Sequence, residues 1–385
     1  MKIQLSMASW NPSHGGPFFS VGNLARSLAE QAHRVSIFAA NYPHAPMQEP
    51  PVGVELATVE GRIIPFIKQA YIPGARNSFQ KHLKVFQPNV IHDNGLWLSL
   101  NHVVARGAEA NRIPRLLSPR GTLDPWAFQY RNWKKRLAMA LYQRKDLETV
   151  DCFHAASQLE AENIRNFGFK QPIAIIPNGV DIPEKPAHFN LGEQTRSHVS
   201  TLKFQTSGHD HARTALFIGR MHPIKNLPNL IKAWARTQPE GWRLKLVGTS
   251  EVGHRKELEK LAQDLGIGSQ VVFSGPLYGD EKAELFREAQ LLFLVSNSEN
   301  FGLTAIEAMA AGLPVVTSMD TPWGFLEKKG LGWSREGTVE SLVKAIEDAT
   351  TQTPTQLRDI GHKARCLVSK NYNCAQVTEQ FGEVY

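Results

Sequence analysis

The sequence is poor in cysteine and has no long apolar run. Its 385 residues include only three cysteines, Cys152, Cys366 and Cys374, which form no metal-spaced pair and no disulfide framework. No apolar stretch approaches the roughly 20 residues that a helix needs to span a bilayer. Residues 1–6 are too short and too polar to predict a signal peptide. We therefore expect a globular protein of the reducing cytoplasm.

Several motifs of nucleotide and acyl chemistry are also missing. The sequence has no Asp-x-Asp run for a metal-bridged nucleotide sugar, no Gly-x-x-x-x-Gly-Lys-Ser/Thr loop, no nucleophile elbow and no Cys-x-x-Cys. Gly266 and Gly268 resemble a dinucleotide fingerprint only superficially, because the last glycine is absent and the pair precedes its strand. We expect neither a bound metal nor a cofactor.

Negative charge is scarce in the first half of the chain. Residues 1–183 contain 20 Lys and Arg against 13 Asp and Glu, whereas residues 184–385 contain 23 of each, so the first half carries the whole net charge of +7. This asymmetry suggests that the first half meets an anionic partner: a phosphorylated ligand, a membrane surface or nucleic acid. The alternative is that the charge serves solubility alone.

What the chain does contain is a series of short apolar runs separated by helical segments. It opens with a strand over residues 2–9, a loop holding Gly15 and Gly16, a helix over residues 20–32 and a strand from Arg34. This βαβ pattern places the glycine pair where a ligand would approach the backbone, although most such pairs are plain turns. Further predicted strands begin at Val52, Asn89, Arg115, Cys152, Ile173, Ala215, Leu244, Val271, Leu291 and Val315.

The alternation predicts mostly parallel sheets with helices on both faces, and the length favours two domains. Residues 184–211 are polar and lose periodicity, as a connecting segment does. We predict an α/β architecture of two Rossmann-like, doubly wound domains that face an interdomain cleft. The first covers residues 1–183, a linker or exposed loop covers 184–212, and the second covers 213–370.

Three predicted strands of the first domain end in polar residues. One ends at His92, the next leads through Ser118 to Arg120, and the third leads to Ser157 and Glu160. Because parallel strands bring their carboxyl ends to one edge of a sheet, these groups could converge on one cleft. Ordinary loop polarity is the competing interpretation for each of them.

A helical stretch over residues 126–147 mixes aromatic with basic side chains. The aromatic set is Trp126, Phe128, Tyr130 and Trp133, and the basic set is Arg131, Lys134, Lys135, Arg136, Arg144 and Lys145. Such a mixture is typical of a helix lying in an anionic membrane interface. It is equally typical of a helix with one core face and one solvated face.

The most informative stretch is residues 296–318. A polar loop with Glu299 follows an apolar strand and leads through Phe301-Gly302-Leu303 into an alanine-rich helix, whose first turn we expect to hold Glu307. Helix amides bind anions at such a strand end, while the two acids suit hydroxyls. Together they describe a nucleotide sugar. Alternatively, Thr304 and Glu307 form a capping box.

A second strand-end loop supplies cations. Gly219 and Arg220 follow one strand of the same predicted domain, and Lys225 lies five residues further on. Arginine offers a planar fork to phosphate oxygens and lysine a point charge, so the pair could bind a diphosphate and stabilise it as a leaving group. These cations favour a ligand role for Glu307, with Thr304 capping the helix alone.

The combination of Gly15-Gly16, Gly219-Arg220 with Lys225, and Glu299-Asn-Phe-Gly with Glu307 looks like the retaining glycosyltransferases of family 4, which have the GT-B fold. The similarity covers nearly the whole chain and is most specific from Ala215 to Ser318. Pro322-Trp323 and Gly332-Trp333 resemble the subset that builds bacterial surface polysaccharides.

The resemblance implies a role for each matching position. Arg220 and Lys225 would bind the donor diphosphate and Glu307 the ribose hydroxyls. Glu299 would bind the donor sugar, with the loop at Gly219 and the amides of Phe301, Gly302 and Leu303 close by. Gly15 and Gly16 would form a loop over the diphosphate. Transfer would retain the anomeric configuration by front-face attack within an ion pair, with the leaving phosphate as base.

The sequence departs from the family pattern in two places. Arg120 stands where many members have a histidine beside the donor sugar, which leaves its role open. The C-terminal helix, about residues 371–385, normally crosses back onto the first domain near a tryptophan, but here Asn373 stands near that place.

The expected function is therefore metal-independent sugar transfer from a nucleotide-diphosphate sugar to a glycan or polyprenyl-diphosphate-linked acceptor, in lipopolysaccharide O-antigen, capsule or exopolysaccharide synthesis. His92 and Arg120 would contact substrate, and the basic first domain would carry the acceptor at the inner face of the plasma membrane. The alternatives are a non-catalytic GT-B protein that binds a nucleotide sugar or glycan, and a sugar-nucleotide epimerase. We expect no nucleic-acid partner.

Overall fold

The computed structural model describes residues 1–42, 47–64, 69–125, 128, 132–184, 186, 212–250 and 253–385. The chain forms two compact units. Unit 1 comprises Met1–Val180 and Tyr372–Tyr385, and unit 2 comprises Asp181–Asn371. The segment predicted as a linker, residues 184–212, lies outside the described residues except at 184, 186 and 212.

Unit 1 is built on a seven-stranded parallel sheet. The strands of this sheet are β1 (Lys2–Ser9), β2 (Arg34–Asn41), β3 (Val54–Glu60), β6 (Val90–Asn94), β7 (Arg115–Ser118), β8 (Cys152–Ala155) and β9 (Ile173–Ile175). Strands β4 (Arg62–Ile64) and β5 (Gln69–Tyr71) form a separate two-stranded hairpin. The large sheet has the order β3-β2-β1-β6-β7-β8-β9, with β1 at the point where the order reverses.

Within the described part of unit 1, six α-helices precede the C-terminal one. They are α1 (Gly16–Glu30), α2 (Ala75–Phe86), α3 (Ser99–Asn111), α4 (Asn132–Ala138), α5 (Arg144–Glu148) and α6 (Gln158–Asn166). A π-helical turn, Met139–Gln143, joins α4 to α5. Of the helical stretch predicted over residues 126–147, residues 126, 127 and 129–131 lie outside the described part.

Unit 2 repeats the same plan with six parallel strands. These are β10 (Arg213–Ile218), β11 (Trp242–Val247), β12 (Val271–Ser274), β13 (Leu291–Leu294), β14 (Val315–Ser318) and β15 (Gly332–Arg335), in the order β12-β11-β10-β13-β14-β15. Its helices are α7 (Leu227–Thr237), α8 (His254–Asp264), α9 (Gly279–Glu288), α10 (Leu303–Ala311), α11 (Val339–Thr350) and α12 (Pro354–Asn371). The last helix of the chain, α13 (Cys374–Val384), belongs to unit 1.

The apolar runs form strands because strands of a parallel sheet are buried on both faces. In β13 all four residues are buried, and in β1 six of eight are. The two units have separate hydrophobic cores. Val377 and Phe381 of α13 complete the core that β1 and α1 form in unit 1.

The predicted pair of Rossmann-like parallel sheets is confirmed, with differences at element ends. Helix α1 begins at Gly16, four residues before the predicted start, because Pro17 fits the first turn, where no amide hydrogen is needed. The sequence analysis did not identify β15 or the β4–β5 hairpin. No described helix is long and apolar enough to cross a membrane.

Candidate active site

Two loops of unit 2 come together at the carboxyl ends of adjacent strands. The loop after β10 contains a short 3-10 helix, Pro223–Lys225, and the loop after β13 contains Glu299. The amide of Asn297 donates to the carbonyl of Ile224 at 2.8 Å, which fixes one loop against the other. Strands β10 and β13 are parallel neighbours at the reversal point of the sheet, so the site lies where open α/β sheets bind ligands.

The position of Gly219 is fixed by close backbone contact with Val247 and Gly248 at the end of β11. Its amide donates to the carbonyl of Val247 at 3.0 Å. A Cβ atom on Gly248 would lie only 1.9 Å from the Gly219 carbonyl oxygen, so a side chain at position 248 would push the two strand ends apart. Arg220 follows and is exposed, and within the described part of the chain no hydrogen bond or ion pair engages its guanidinium.

Lys225 and Glu299 form an ion pair. Lys225 Nζ lies 2.5 Å from Glu299 Oε2, and the Ser296 hydroxyl donates to the same oxygen at 3.2 Å. The two side chains are only 19% and 15% exposed. The structure therefore brings together two residues that are 74 positions apart and that the sequence assigned to the diphosphate and the donor sugar.

The N-terminus of α10 lies beside this pair and has no side-chain cap. Gly302 occupies the N-cap position with φ of 78° and no side-chain hydrogen bond. A Cβ atom there would lie 2.7 Å from Leu294 Cδ2 and 2.9 Å from Trp323 Nε1. The Trp323 indole donates to the Phe301 carbonyl at 2.5 Å and so fixes the loop that leads into the helix. The amide of Ala305 donates to the Gly302 carbonyl at 2.8 Å, and Gly302 supplies no side-chain cap for the amides of Leu303 and Thr304. Helix-start amides without such a cap are suited to an anion.

The prediction that Thr304 caps this helix is wrong, and so is the alternative of a capping box with Glu307. Helix α10 begins at Leu303, so Thr304 lies within its first turn and cannot act as the N-cap. Glu307 consequently lies one turn deeper than predicted, in the second turn. Its carboxylate is paired with Lys282 of α9, with Lys282 Nζ 2.6 Å from Glu307 Oε2. The competing explanation, in which Glu307 only caps the helix, is therefore excluded by the position of the N-cap.

The sequence analysis missed Lys282. It lies on α9 among acidic neighbours, in the segment Gly279-Asp-Glu-Lys-Ala-Glu284, where a lysine is typical of any solvated helix face. Only the strand order of the sheet could have indicated its contact with Glu307, because α9 precedes β13 and packs near α10 in that order. That order was not known from the sequence.

In unit 1 the glycine loop lies at the end of β1 and opens α1. Gly15 has φ of 71° and ψ of −138°, a conformation that favours glycine, and a Cβ at either Gly15 or Gly16 would have no neighbour within 4 Å. Open space therefore adjoins both glycines at this helix start, and the binding of a ligand there stays a prediction.

His92 lies in the interior of unit 1 instead of on an open surface. Its Nδ1 is 2.6 Å from the Tyr385 hydroxyl and its Nε2 is 2.6 Å from Ser118 Oγ, which in turn is 2.5 Å from His154 Nδ1. Both histidines are almost fully buried. Burial, with positive charge nearby, lowers the pKa of both rings, that of His154 to about 3. A contact between His92 and substrate would require one of these bonds to break.

Arg120 is held by amide side chains. Its Nε and Nη2 donate to Asn94 Oδ1 at 3.1 and 2.7 Å, and its Nη1 donates to Asn178 Oδ1 at 2.8 Å. Burial lowers the pKa of the guanidinium, and the charge of Glu160 opposes that shift. Glu160 itself accepts from the amides of Gly121 and Ala156, so it stabilises this turn.

Comparison with known proteins agrees with this fold. Residues 14–184 match the family described as Glycosyltransferase Family 4, and residues 200–365 match the family described as Glycosyl transferases group 1. The chain is similar to the sucrose-phosphate synthase of Thermosynechococcus elongatus (TM-score 0.77, 22% identity, 100% and 98% of the two chains covered). It is also similar to Anabaena HepE in complex with UDP-glucose (TM-score 0.76, 20% identity, 100% and 99% covered).

Curated relatives point to the same group. Alpha-monoglucosyldiacylglycerol synthase of Streptococcus pneumoniae is 24% identical over 336 residues, covering 82% of this chain and 70% of that protein. A D-inositol 3-phosphate glycosyltransferase of Acidothermus cellulolyticus is 33% identical over 155 residues, covering 38% of this chain and 33% of that protein.

The two Rossmann-like parallel sheets and the two family matches define the GT-B class of glycosyltransferases. Within that class, the chain belongs to glycosyltransferase family 4.

Proposed function

We propose that the protein is a retaining, metal-independent glycosyltransferase that moves a sugar from a nucleotide-diphosphate donor to a glycan or lipid-linked acceptor of cell-surface polysaccharide. The observation that carries this proposal is the Lys225–Glu299 ion pair beside the uncapped start of α10. A cation, a carboxylate and helix-start amides without a side-chain cap, all at neighbouring strand ends, match the diphosphate and the hydroxyl groups of such a donor.

Each residue of the unit 2 site has a part in this proposal. Arg220 and Lys225 bind the diphosphate, Glu299 accepts hydrogen bonds from the donor sugar, and Glu307 accepts them from the ribose. When the bond between the anomeric carbon and the phosphate oxygen breaks, its electron pair stays on the diphosphate. Lys225 and Arg220 stabilise the charge that develops there. The acceptor oxygen bonds to the anomeric carbon on the same face and passes its proton to the leaving diphosphate.

The relatives support the donor and acceptor classes. HepE was crystallised with UDP-glucose, so a protein of this fold binds a nucleotide sugar. The name of the pneumococcal relative is that of a synthase of a glucosylated diacylglycerol. We infer a membrane-resident acceptor for this chain as well, with the protein at the inner face of the plasma membrane.

The helix over α4, the π-turn and α5 supports contact with an anionic membrane. Trp133, Leu137 and Leu141, spaced four residues apart, are 68%, 52% and 71% exposed. Arg136 and Lys145 are exposed on the same helical segment. An apolar stripe in solvent beside cations is what an interfacial helix presents, whereas a helix with a buried core face would hide these side chains.

Vesicle binding tests the membrane contact. The protein should co-sediment with vesicles containing phosphatidylglycerol and less with phosphatidylcholine alone. Replacing Leu137 and Leu141 by Ser, or Lys134, Lys135 and Arg136 by Gln, should reduce binding. Replacing Val52 and Val85 by Ser is the matched control, because these side chains are 96% and 76% exposed elsewhere in unit 1. Equal binding by all variants would contradict the proposal.

A donor panel tests the reaction itself. One nucleotide sugar should raise the melting temperature in proportion to the logarithm of its concentration. That donor should also be hydrolysed slowly without acceptor, since the site activates the same bond for water. Binding without hydrolysis or transfer would indicate a non-catalytic protein, and epimerisation without acceptor would indicate an epimerase.

A further inference from the structure

Lys282 is a largely buried cation of unit 2 that none of the roles above uses. It lies in α9, and its Nζ contacts Glu307 Oε2 at 2.6 Å across the gap between α9 and α10. The side chains of Lys282 and Glu307 are 15% and 18% exposed. Removing one member of a pair this far from water would leave the other charge uncompensated.

The Lys282–Glu307 pair has the same form as the Lys225–Glu299 pair. In each, a lysine from another element contacts Oε2 of the carboxylate. Across the described residues, Oε1 of each acid has no hydrogen-bond partner. Each carboxylate is therefore fixed through one oxygen and presents the other. A group that must accept hydrogen bonds from a ligand hydroxyl needs this arrangement.

A glutamate side chain has three rotatable bonds, so its carboxylate is positioned only when something restrains it. For Glu299 the restraint comes from Lys225 and Ser296. For Glu307 the ion pair with Lys282 supplies it. Removing Lys282 would free the carboxylate to rotate and would leave a partly buried charge without its partner.

We propose that Lys282 is a positioning residue, which holds Glu307 so that Oε1 accepts hydrogen bonds from the 2′ and 3′ hydroxyls of the donor ribose. This inference rests on the proposed function, because it requires a ribonucleotide in the pocket. Lys282 does not touch the reacting atoms. Its loss should therefore weaken donor binding and selectivity for ribose, while kcat at saturating donor changes little.

Ribose selectivity provides the test. UDP, GDP, ADP and CDP are titrated calorimetrically into the purified full chain, and the tightest binder is compared with its 2′-deoxy form. The wild type should prefer the ribonucleotide by about tenfold, as expected for a hydrogen bond to a charged group. Glu307→Gln and Lys282→Met should each reduce this preference to less than about threefold. Lys282→Arg should restore much of it.

A double variant and a control separate positioning from general destabilisation. If Lys282 acts through Glu307, the double variant Lys282→Met/Glu307→Gln should bind like Glu307→Gln alone. Lys260→Met is the matched control, because Lys260 is 74% exposed and, among the described residues, pairs only with Asp264 on its own helix. It should keep the wild-type preference.

The outcomes distinguish the two levels of the proposal. If Glu307→Gln loses the ribose preference and Lys282→Met keeps it, the role of Lys282 is wrong and the donor site stands. If Glu307→Gln keeps the preference, or no nucleotide binds the wild type, the ribose assignment is wrong and the role of Lys282 is overturned with it.

Discussion

At the scale of single residues, the pairing of each acid with a lysine explains how carboxylates can share a pocket with a diphosphate. Glu299 and Glu307 would repel phosphate if they stood alone. Lys225 and Lys282 neutralise them through Oε2. Counting Arg220, the residues proposed for the donor site carry three cations and two carboxylates, a formal net charge of +1. The acids can then bind hydroxyls without excluding the anion.

Lys225 should be the most sensitive of these residues. Replacing it by Ala removes a cation from the leaving group and leaves Glu299 unpaired, so two effects act in the same direction. We expect kcat/KM for transfer to fall by about 10²-fold or more. Lys260→Ala should leave it unchanged. Steady-state transfer to the natural acceptor is the measurement, and nearly normal turnover by Lys225→Ala would show that the diphosphate assignment is wrong.

The sequence predicted the residues of this site better than their contacts. Lys225, Glu299 and Glu307 could be identified because strand ends and a helix start have local signatures. The partner of Glu307 could not, since Lys282 becomes its neighbour only through the packing of α9 near α10. The predicted cap at Thr304 was wrong for a local reason: the left-handed conformation at Gly302 places the N-cap two residues ahead of Thr304.

At the scale of elements, the loop from Phe301 to the start of α10 depends on one glycine. Gly302 combines φ of 78° with two near contacts, to Leu294 and to the Trp323 indole. The Trp323 hydrogen bond to Phe301 crosses the same position. The uncapped start of α10 therefore depends on the absence of a side chain at Gly302.

Replacing Gly302 by Ala should destabilise unit 2 by roughly 2–4 kcal/mol, since backbone strain and overpacking add. Gly330→Ala is a suitable comparison, because Gly330 has φ of 63° but nothing within 4 Å of its Cβ position. It should cost only about 1 kcal/mol. Urea-dependent hydrogen exchange of β13 and β14 peptides measures both. An equal loss of stability in the two variants would mean that Leu294 and Trp323 move aside without energetic cost, which would contradict the prediction.

Strands that consist of continuous apolar runs could be predicted from the sequence. Elements that depend on pairing or packing with distant residues could not. The all-apolar β13 follows from its sequence, as do β10 and β14. Strand β15, Gly332-Trp-Ser-Arg335, alternates with polar residues and is bound by pairing with β14. The start of α1 was missed because Gly16 and Pro17 indicate a loop in sequence and a helical first turn in structure.

At the scale of the whole molecule, unit 1 is completed by the last residues of the chain. Tyr385 reaches His92, and Phe381 packs against both His92 and His154. Burial is the main cause that raises the pKa of Tyr385 and lowers those of the two histidines. The groups linking α13 to the ends of β6, β7 and β8 are therefore neutral in the folded protein.

This neutral network predicts acid sensitivity for unit 1. The pKa of a histidine in the unfolded chain is about 6.5, whereas that of His154 in the folded protein is about 3. As the pH falls from 6.5 towards 3, the unfolded state takes up a proton that the folded state does not. The free energy of unfolding should fall by up to about 1.4 kcal/mol per pH unit for each such histidine. Stability from this source is complete only above pH 6.5.

Asp93 acts in the opposite direction. It is buried beside Arg115, Ser6 and Asn101, and burial raises its pKa from 3.8 to about 6. Between these values the folded state binds more protons than the unfolded state, so stability rises as the pH falls. The pH dependence of wild-type stability is therefore the difference between opposing contributions from the histidines and from Asp93. A variant is needed to isolate the contribution of His154.

His154→Gln removes one titrating ring and retains a donor for the Ile176 carbonyl, which His154 Nε2 contacts at 2.7 Å. Between pH 7 and pH 5 the wild type should lose up to about 2 kcal/mol more stability than this variant. Hydrogen exchange of β1 and β6 peptides in urea restricts the measurement to unit 1. His362→Gln, at an exposed position of unit 2, should follow the wild type. Parallel pH profiles for wild type and His154→Gln would show that His154 does not stay neutral on folding.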